Sequence, residues 1–321
     1  MPDHQITIGN VELISLNDGM PIRSPMMPFP DTAIEQWREF PGLVDSNDQV
    51  RSRYGTVAVR SGGKLIIVDT GLQADDGTLL NDMKAKGIDR NEVDLVVFTH
   101  LHPDHVGWNL TNGQPNFPNA RYVIPQKDWD YWTKPEVVAE AAHITNQVLP
   151  LQEMGLIDLI QDDHKITDEL TTVWTPGHTP GHVSIVIASA GHRAYILGDV
   201  AHSVAQAHYT DWSPIFDVDP ELSRLTRHSV LDMLEVEGIL VSAGHFPDPG
   251  FGRFVRGEER RVWQDINSRP YKGTEDASPQ AEPGHPGNRY IDSYNRHRLV
   301  AAGAPIYQHH RGGGVSFRRI G

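Results

Sequence analysis

Four side chains that can ligate a metal ion lie within the segment THLHPDHVGWN, residues 99–109. The four are His100, His102, Asp104 and His105. The segment follows the apolar run DLVVF, which is typical of a buried strand, and a sheet fixes the base of the loop that leaves it. Imidazole nitrogens and carboxylate oxygens are ligands that zinc accepts. The pattern therefore predicts a metal site at the end of a strand.

Three more segments carry the same residue types just after an apolar run: TPGHTPGHVS, ILGDVAH and SAGHFPDPG. His100 and His102 are two residues apart, so on an extended segment they point the same way and can bind one ion. Asp104 and His105 lie beyond a proline and can face a second ion. Each ion then needs a ligand from a distant segment, and one carboxylate can bridge both ions. The distant candidates are His178, His245 and, as the bridge, Asp199.

The composition excludes several other kinds of site and partner. The 321 residues include no cysteine, so disulfides, cysteine nucleophiles and thiolate metal sites are excluded. The net charge of −14 argues against nucleic-acid binding, which needs clustered lysine and arginine. No apolar run approaches the ~20 residues that span a bilayer, and the first residues do not resemble a signal peptide. We therefore expect a cytoplasmic protein without a membrane or nucleic-acid partner.

Strands and helices alternate in the predicted order of elements. Ile6–Leu16 alternates polar and apolar residues like a strand, and 20–50 predicts a long loop with one short helix. Residues 126–160 predict helices, and 219–238 has the clearest helical period. Buried strands are indicated by KLIIVDTG, DLVVF, RYVIP, HVSIVIAS, AYILGD and ILVSAGHF. The order predicts an α/β fold of two sheets covered by helices.

The motifs together resemble a known family. HLHPDH fits the HxHxDH signature of the metallo-β-lactamase superfamily, and the other motifs follow in that family's order. They are the DTG turn at Asp69, PGHTPGH ending at His182, GD at 198–199 and GH at 244–245. The resemblance implies an αββα sandwich, with two mixed β-sheets flanked by helices.

The resemblance also implies the organisation of the chain and a division of the ligands. It covers a catalytic domain, residues 1–263, with the loop 20–50, and leaves 264–321 as an irregular extension that packs on the domain or on a partner subunit. One metal is expected on His100, His102 and His178. The second is expected on Asp104, His105 and His245, with Asp199 bridging. Asp69 and His182 are expected to orient these ligands.

The resemblance implies hydrolysis with two divalent ions. Zinc is expected, and an all-nitrogen-and-oxygen ligand set also accepts manganese, iron or cobalt. A hydroxide bridging the ions would attack the substrate, and Asp104 would take its proton and return it to the leaving group. The segments TPGHTPGHVSI and GHFPDPGFGR are most similar to the branch that holds acyl-homoserine lactonases and methyl-parathion-hydrolase-like enzymes. We therefore expect a small lactone or aryl ester as the substrate.

One position departs from the family pattern and leaves alternatives open. Well-known lactonases of this branch have a tyrosine three residues after the bridging aspartate, where this chain has His202. Imidazole can still donate a hydrogen bond to the substrate, so His202 is a candidate catalytic residue. Phosphotriester hydrolysis, or β-lactam or thioester hydrolysis, remains an alternative on the same site. A metal-binding scaffold without turnover is the alternative from another class.

Aromatic residues near the motifs are candidates for a substrate pocket, with core packing as the alternative for each. They are Phe29, Trp108, Trp212, Phe246 and Phe251. A homodimer is a further expectation, because relatives often form dimers.

Overall fold

The computed structural model describes residues 4–40 and 42–267. The strands are β1 (Gln5–Ile8), β2 (Val11–Asn17), β3 (Ile22–Arg23), β4 (Val50–Arg51), β5 (Gly55–Ser61), β6 (Lys64–Val68), β7 (Leu95–Val97), β8 (Leu110–Thr111), β9 (Gln114–Pro115), β10 (Arg121–Pro125), β11 (Ile157–Ile160), β12 (Leu170–Trp174), β13 (Val183–Ser189), β14 (His192–Ile196), β15 (Leu240–Ser242), β16 (Phe251–Arg256) and β17 (Arg261–Asp265). The helices are α1 (Ile34–Arg38), α2 (Leu79–Ala85), α3 (Pro103–Val106), α4 (Gln126–Trp132), α5 (Pro135–Val138), α6 (Ala142–Gln147), α7 (Leu149–Glu153) and α8 (Pro220–Val236).

Two mixed sheets form the centre of the fold. The first has the order β1-β2-β5-β6-β7-β10-β11, and β6, β7, β10 and β11 run parallel. The second has the order β12-β13-β14-β15-β16-β17, with β14 and β15 parallel and the other pairs antiparallel. The predicted pair of mixed sheets is therefore confirmed.

Two buried hydrophobic clusters show how the sheets and helices pack in layers. One buried cluster joins side chains of the first sheet, such as Val59 and Val97, to those of the second, such as Ile185 and Ile196, so the sheets pack face to face. A second cluster lies on the outer face of the first sheet under α2, α4, α6 and α7. Helix α8 lies against β16 of the second sheet. The layers are thus helix, sheet, sheet, helix, as expected.

The expectation of a single strand over Ile6–Leu16 is wrong. The chain turns back at Gly9 and Asn10, and β1 pairs with β2 as a hairpin. Gly9 has a φ of +59°, and a Cβ there would lie 2.3 Å from the carbonyl oxygen of Ser189. Gly-Asn between two apolar runs is a recognised hairpin turn, so the sequence did contain the signal.

Residues 126–160 form four short helices and, at their end, strand β11, which the helical prediction missed. Only Ile160 of β11 is buried, and the four residues IDLI are too few for a strand period to be distinguished from a helical one. Of the predicted extension, 264–321, the structure describes only 264–267, where Gln264 and Asp265 end β17. No helix in the described ranges is long and apolar enough to cross a membrane.

Candidate metal centre

All seven predicted ligands follow the ends of strands, and the fold brings them to one place. The segment after β7 carries His100 and His102, and α3 follows with Asp104 and His105. The remaining three lie in the β12–β13 turn, after β14 and after β15; they are His178, Asp199 and His245. Two groups form in which the potential ligand atoms lie within 4.8 Å of one another. We call His100, His102 and His178 the triad, and Asp104, His105, Asp199 and His245 the bridged group.

The ring nitrogens of the triad converge. His102 Nδ1 lies 3.1 Å from His100 Nε2 and 2.8 Å from His178 Nε2. Nitrogens bound tetrahedrally to one zinc would lie about 3.3 Å apart, from bond lengths of about 2.0–2.1 Å. The Nδ1 atoms of two of these rings have other partners. That of His100 lies 3.0 Å from Thr99 Oγ1, and that of His178 lies 2.8 Å from Asp217 Oδ1. The remaining nitrogens therefore face a common point, and this donor set fits a metal ion.

Asp199 joins the two groups through one oxygen. Its Oδ2 lies 3.2 Å from Nε2 of both His105 and His245, and 3.3 Å from Nε2 of His178. Asp104 completes the bridged group, with Oδ2 3.4 Å from Nε2 of His245. A single carboxylate oxygen that faces both groups is suited to bridge two ions.

Burial and charge act differently on the histidines. Burial and the neighbouring imidazoles hold the pKa of His100 and His102 well below the usual value, which leaves neutral rings that can bind a metal. Burial also acts on His178, but the carboxylates of Asp199 and Asp217 outweigh it and raise the pKa to about 9. Metal binding must therefore displace a proton from this ring.

Asp69 and His182 contact the ligands that they were expected to orient. Asp69 Oδ2 lies 2.8 Å from Nδ1 of His105, and Asp69 itself has a φ of +62°, in the left-handed region that is costly for a residue with a Cβ. His182 accepts the backbone N–H of Asp199 on Nε2 at 2.8 Å. Gly198 makes this approach possible, because a Cβ there would lie 2.5 Å from Nε2 of His182.

Sequence reasoning missed other contacts behind the ligands. Asp217 is buried and holds Nδ1 of His178, while Nη2 of the buried Arg227 lies 3.5 Å from its other oxygen. The backbone carbonyl of Arg53 accepts Nδ1–H of His245 at 2.8 Å. A backbone acceptor leaves no residue-type signal, and Asp217 lies 39 positions from His178 without a recognisable spacing.

His202 is an imidazole, 10% exposed, that lies beside the carboxylate of Asp199. Its Nε2 lies 3.2 Å from Asp199 Oδ2, and its ring stacks on His245 at 5.2 Å between centroids. It also shares a possible ligand group with Asp199 and His178. Within residues 4–40 and 42–267, neither ring nitrogen makes a hydrogen bond of good geometry. Nδ1 is therefore without a partner among these residues, whereas Nε2 faces the carboxylate of Asp199.

The five candidate pocket residues lie in different places. Phe246 packs edge-on against Phe254 and Trp263, and Phe251 is fully buried between the sheets, so both take the packing role left open by the sequence. Phe29 and Trp212 pack together with Trp37 in a separate cluster. Trp108 donates its indole N–H to Asp18 at 2.6 Å and lines a cavity of about 830 Å³ that none of the seven ligands lines.

Exposed apolar side chains lie in the chain segment that contacts His178. The backbone N–H of Val218 donates to the carbonyl of His178 at 3.0 Å. Two residues near it in the chain expose much of their apolar surface, Ile215 at 60% and Phe216 at 43%. The segment 215–218 therefore contacts His178 through its backbone and carries an exposed apolar surface.

The family model of the Metallo-beta-lactamase superfamily matches residues 56–245, which include all seven predicted ligands. The chain belongs to this superfamily. A solved structure described as hydrolase AbOPH in the beta lactamase superfamily is 26% identical, with a TM-score of 0.76, over 83% of this chain and 98% of that one. AidC, described as a dizinc quorum-quenching lactonase, shares the superfamily fold at 21% identity and a TM-score of 0.71, over 84% of this chain and 98% of AidC.

A curated relative points to one branch of the superfamily. The N-acyl homoserine lactonase AttM of Rhizobium radiobacter is 31% identical over 130 residues, which are 39% of this chain and 47% of AttM. The chain thus matches about half the length of this relative. The resemblance to the lactonase branch that was inferred from the motifs is supported.

Proposed function

We propose that this protein is a hydrolase with two divalent metal ions, zinc for preference, that opens lactones and cleaves aryl esters of carboxylic acids. The observation that carries the proposal is the position of Asp199 Oδ2, within 3.3 Å of a triad nitrogen and 3.2 Å of two nitrogens of the bridged group. The lactonase names of AttM and AidC support the substrate class.

The triad and the bridged group would each hold one ion. Two such ions supply a water of lowered pKa and polarise the carbonyl of the substrate. Asp104 is the proton carrier of the chain itself, because its side chain is 21% exposed and can reach water and substrate. It takes a proton from the attacking water and returns it to the alkoxide released when the ester C–O bond breaks. A lactone then yields a hydroxy acid.

His202 is proposed as the residue that orients the substrate. Its ring is held by stacking on His245 and by the contact of Nε2 with Asp199, and its Nδ1 has no hydrogen bond among the described residues. Donation from His202 to the carbonyl oxygen would fix the ester in register with Asp104. The exposed side chains of Ile215 and Phe216 would cover an acyl chain or an aryl ring.

Phosphotriester hydrolysis is a second candidate, and His202 is the observation that favours it. An imidazole donor can serve a phosphoryl oxygen as well as a carbonyl oxygen, and it replaces the tyrosine that holds the lactone in well-known lactonases. The homodimer and the cytoplasmic location remain predictions from the sequence.

A substrate panel after defined metal loading tests these proposals. The purified protein is stripped with a chelator, reloaded with zinc, manganese or cobalt, and assayed on an acyl-homoserine lactone, p-nitrophenyl acetate and paraoxon. We expect about two metal equivalents and the highest kcat/KM on the lactone or the aryl ester. Activity that is indifferent to chelation, or a metal content well below two equivalents, would contradict the proposal. A preference for paraoxon would favour the second candidate.

A variant of Asp104 separates an enzyme from a scaffold. Asp104→Asn is expected to lower kcat by about 10²–10⁴-fold, because the amide cannot carry the proton. Asp168→Asn, at a fully exposed aspartate, is the matched control. If Asp104→Asn leaves every activity intact, the role assigned to Asp104 is wrong and a metal-binding scaffold without turnover is favoured.

A further inference from the structure

Asp128 is a fully buried carboxylate in α4 that contacts both segments of the triad. Its Oδ2 accepts the backbone N–H of Leu101 at 2.7 Å, and its Oδ1 accepts the backbone N–H of Gly181 at 3.0 Å. Leu101 lies between the first two triad histidines, and Gly181 lies three residues after the third. One side chain therefore holds both segments by their backbone.

The two segments come from different sheets. Leu101 follows β7 of the first sheet, and Gly181 precedes β13 of the second. Another backbone hydrogen bond, from Val183 N–H to the carbonyl of Thr99 at 2.9 Å, also joins them. The distances within the triad therefore depend on a small number of contacts between sheets, of which Asp128 makes two.

The chain is shaped to allow this contact. A Cβ on Gly181 would lie 2.0 Å from the backbone nitrogen of Asp128, so only glycine permits α4 to lie this close. Among the residues that the structure describes, no lysine or arginine pairs with Asp128, and its oxygens are satisfied by N–H donors of the ligand segments. A buried carboxylate is costly unless it is hydrogen-bonded, and here its partners lie beside the metal ligands.

We propose that Asp128 is a positioning residue that sets the spacing of His100, His102 and His178 and, through it, the affinity of the triad for its metal ion. The inference rests on the proposed two-metal function. It extends that function to a residue that touches neither metal ligand side chains nor substrate.

The first test replaces Asp128 by asparagine, which has nearly the same shape but offers only one acceptor oxygen. Asp130→Asn is the matched control, because Asp130 lies on the same helix with its side chain exposed. Zinc affinity is measured by chelator competition, and the cobalt-loaded protein is examined by its d–d absorption. We expect one of the two ions to bind about 10-fold more weakly, or worse, in Asp128→Asn, with an altered cobalt spectrum. The Asp130→Asn variant should match the wild type in both.

Wild-type affinities and an unchanged cobalt spectrum in Asp128→Asn would overturn the inference and leave the proposed function standing. Failure of the wild type itself to bind metal would overturn both. A second measurement needs no variant and covers the case in which Asp128→Asn does not fold. In the metal-free wild type, the amides of Leu101 and Gly181 should exchange slowly with deuterium. Fast exchange at these two amides, while those of β13 stay protected, would overturn the inference.

Discussion

The triad and the bridged group share one oxygen but are built differently. The triad is made of imidazoles alone, of which His102 is packed against the ring of Trp132 at 5.3 Å between centroids. The bridged group contains two carboxylates, and a third, Asp69, holds His105 from behind. The first group therefore offers imidazole nitrogens alone, of which that of His178 must first lose a proton, and the second group adds negative charge.

This difference separates two ways of binding an ion. A carboxylate attracts a cation over several ångströms, whereas a neutral imidazole contributes only when its lone pair is correctly placed. We expect the triad to be sensitive to small changes of position and the bridged group to be sensitive to loss of charge. Substitutions that change either the position of a ligand or the charge, and not both, test whether the two groups differ in this way.

The largest effect is expected from Asp199→Ala, because the Asp199 carboxylate faces both the triad and the rest of the bridged group. Its loss removes the shared ligand and leaves His105, His178 and His245 without the carboxylate that faces them. We expect most of the bound metal to be lost and hydrolysis to fall by more than about 100-fold, since even residues behind the ligands cost 10–100-fold. Metal analysis of the purified variant and the substrate panel measure this.

Asp168→Asn serves again as the control, because its side chain is 95% exposed. Retention of both ions by Asp199→Ala would show that the two groups bind independently, and the assignment of Asp199 as a bridge would then be wrong.

A smaller effect, confined to the triad, is expected from Asp217→Asn. The carboxylate holds Nδ1 of His178 at 2.8 Å and thereby aims Nε2 at the other two histidines. Its replacement should lower the affinity for one of the two ions by about 10–100-fold and leave the affinity for the other nearly unchanged. Chelator competition with zinc resolves the two affinities. Asp211→Asn, at an aspartate that is 73% exposed, is the control, and equal weakening of both ions would argue against separate groups.

The contrast between the two groups was only partly predictable from sequence. Ligand types recur after apolar runs, and this spacing predicted seven side chains that the structure brings together. Asp128 and Asp217 could not be predicted, because their hydrogen bonds reach segments tens of residues away, two such segments for Asp128 and one for Asp217. In the fold, β11 was missed because its four residues are too few to show a strand period. Among the pocket candidates, aromatic residue type did not distinguish Phe246, which is fully buried, from residues near the site.

The next prediction concerns the stability of the backbone under Asp199. Burial, together with the charge of His178, lowers the pKa of His182 to about 3, and the unprotonated Nε2 accepts the N–H of Asp199. The unfolded chain has the usual value of 6.5, so between these values it binds more protons than the folded protein. The contribution of His182 is thus fully present above pH 6.5 and is lost as the pH falls toward 3. A tenfold change in proton affinity corresponds to about 1.4 kcal/mol, so the free energy of unfolding should fall by several kcal/mol over this range.

Urea unfolding of the metal-free protein at a series of pH values measures this loss. In His182→Gln the amide oxygen can accept the same N–H without titrating, so the free energy of unfolding should vary less steeply with pH. His192→Gln, at an exposed histidine, should behave as the wild type. Identical pH dependence in His182→Gln and the wild type would refute the assignment.

The smallest effect is expected at the apolar surface of the segment 215–218, where Ile215→Ala removes methyl and methylene groups without touching a ligand. Because Ile215 is 60% exposed, the folded state should lose little stability. An acyl chain lying on this surface would lose contact, at about 0.8 kcal/mol or roughly fourfold in kcat/KM for each buried methylene. Phe246→Ala is the matched contrast, because it should lower the free energy of unfolding by about 3–5 kcal/mol through a cavity. Assays with homoserine lactones of increasing acyl-chain length measure how steeply kcat/KM changes with each methylene. An unchanged chain-length preference in Ile215→Ala would show that the acyl chain does not bind on this surface.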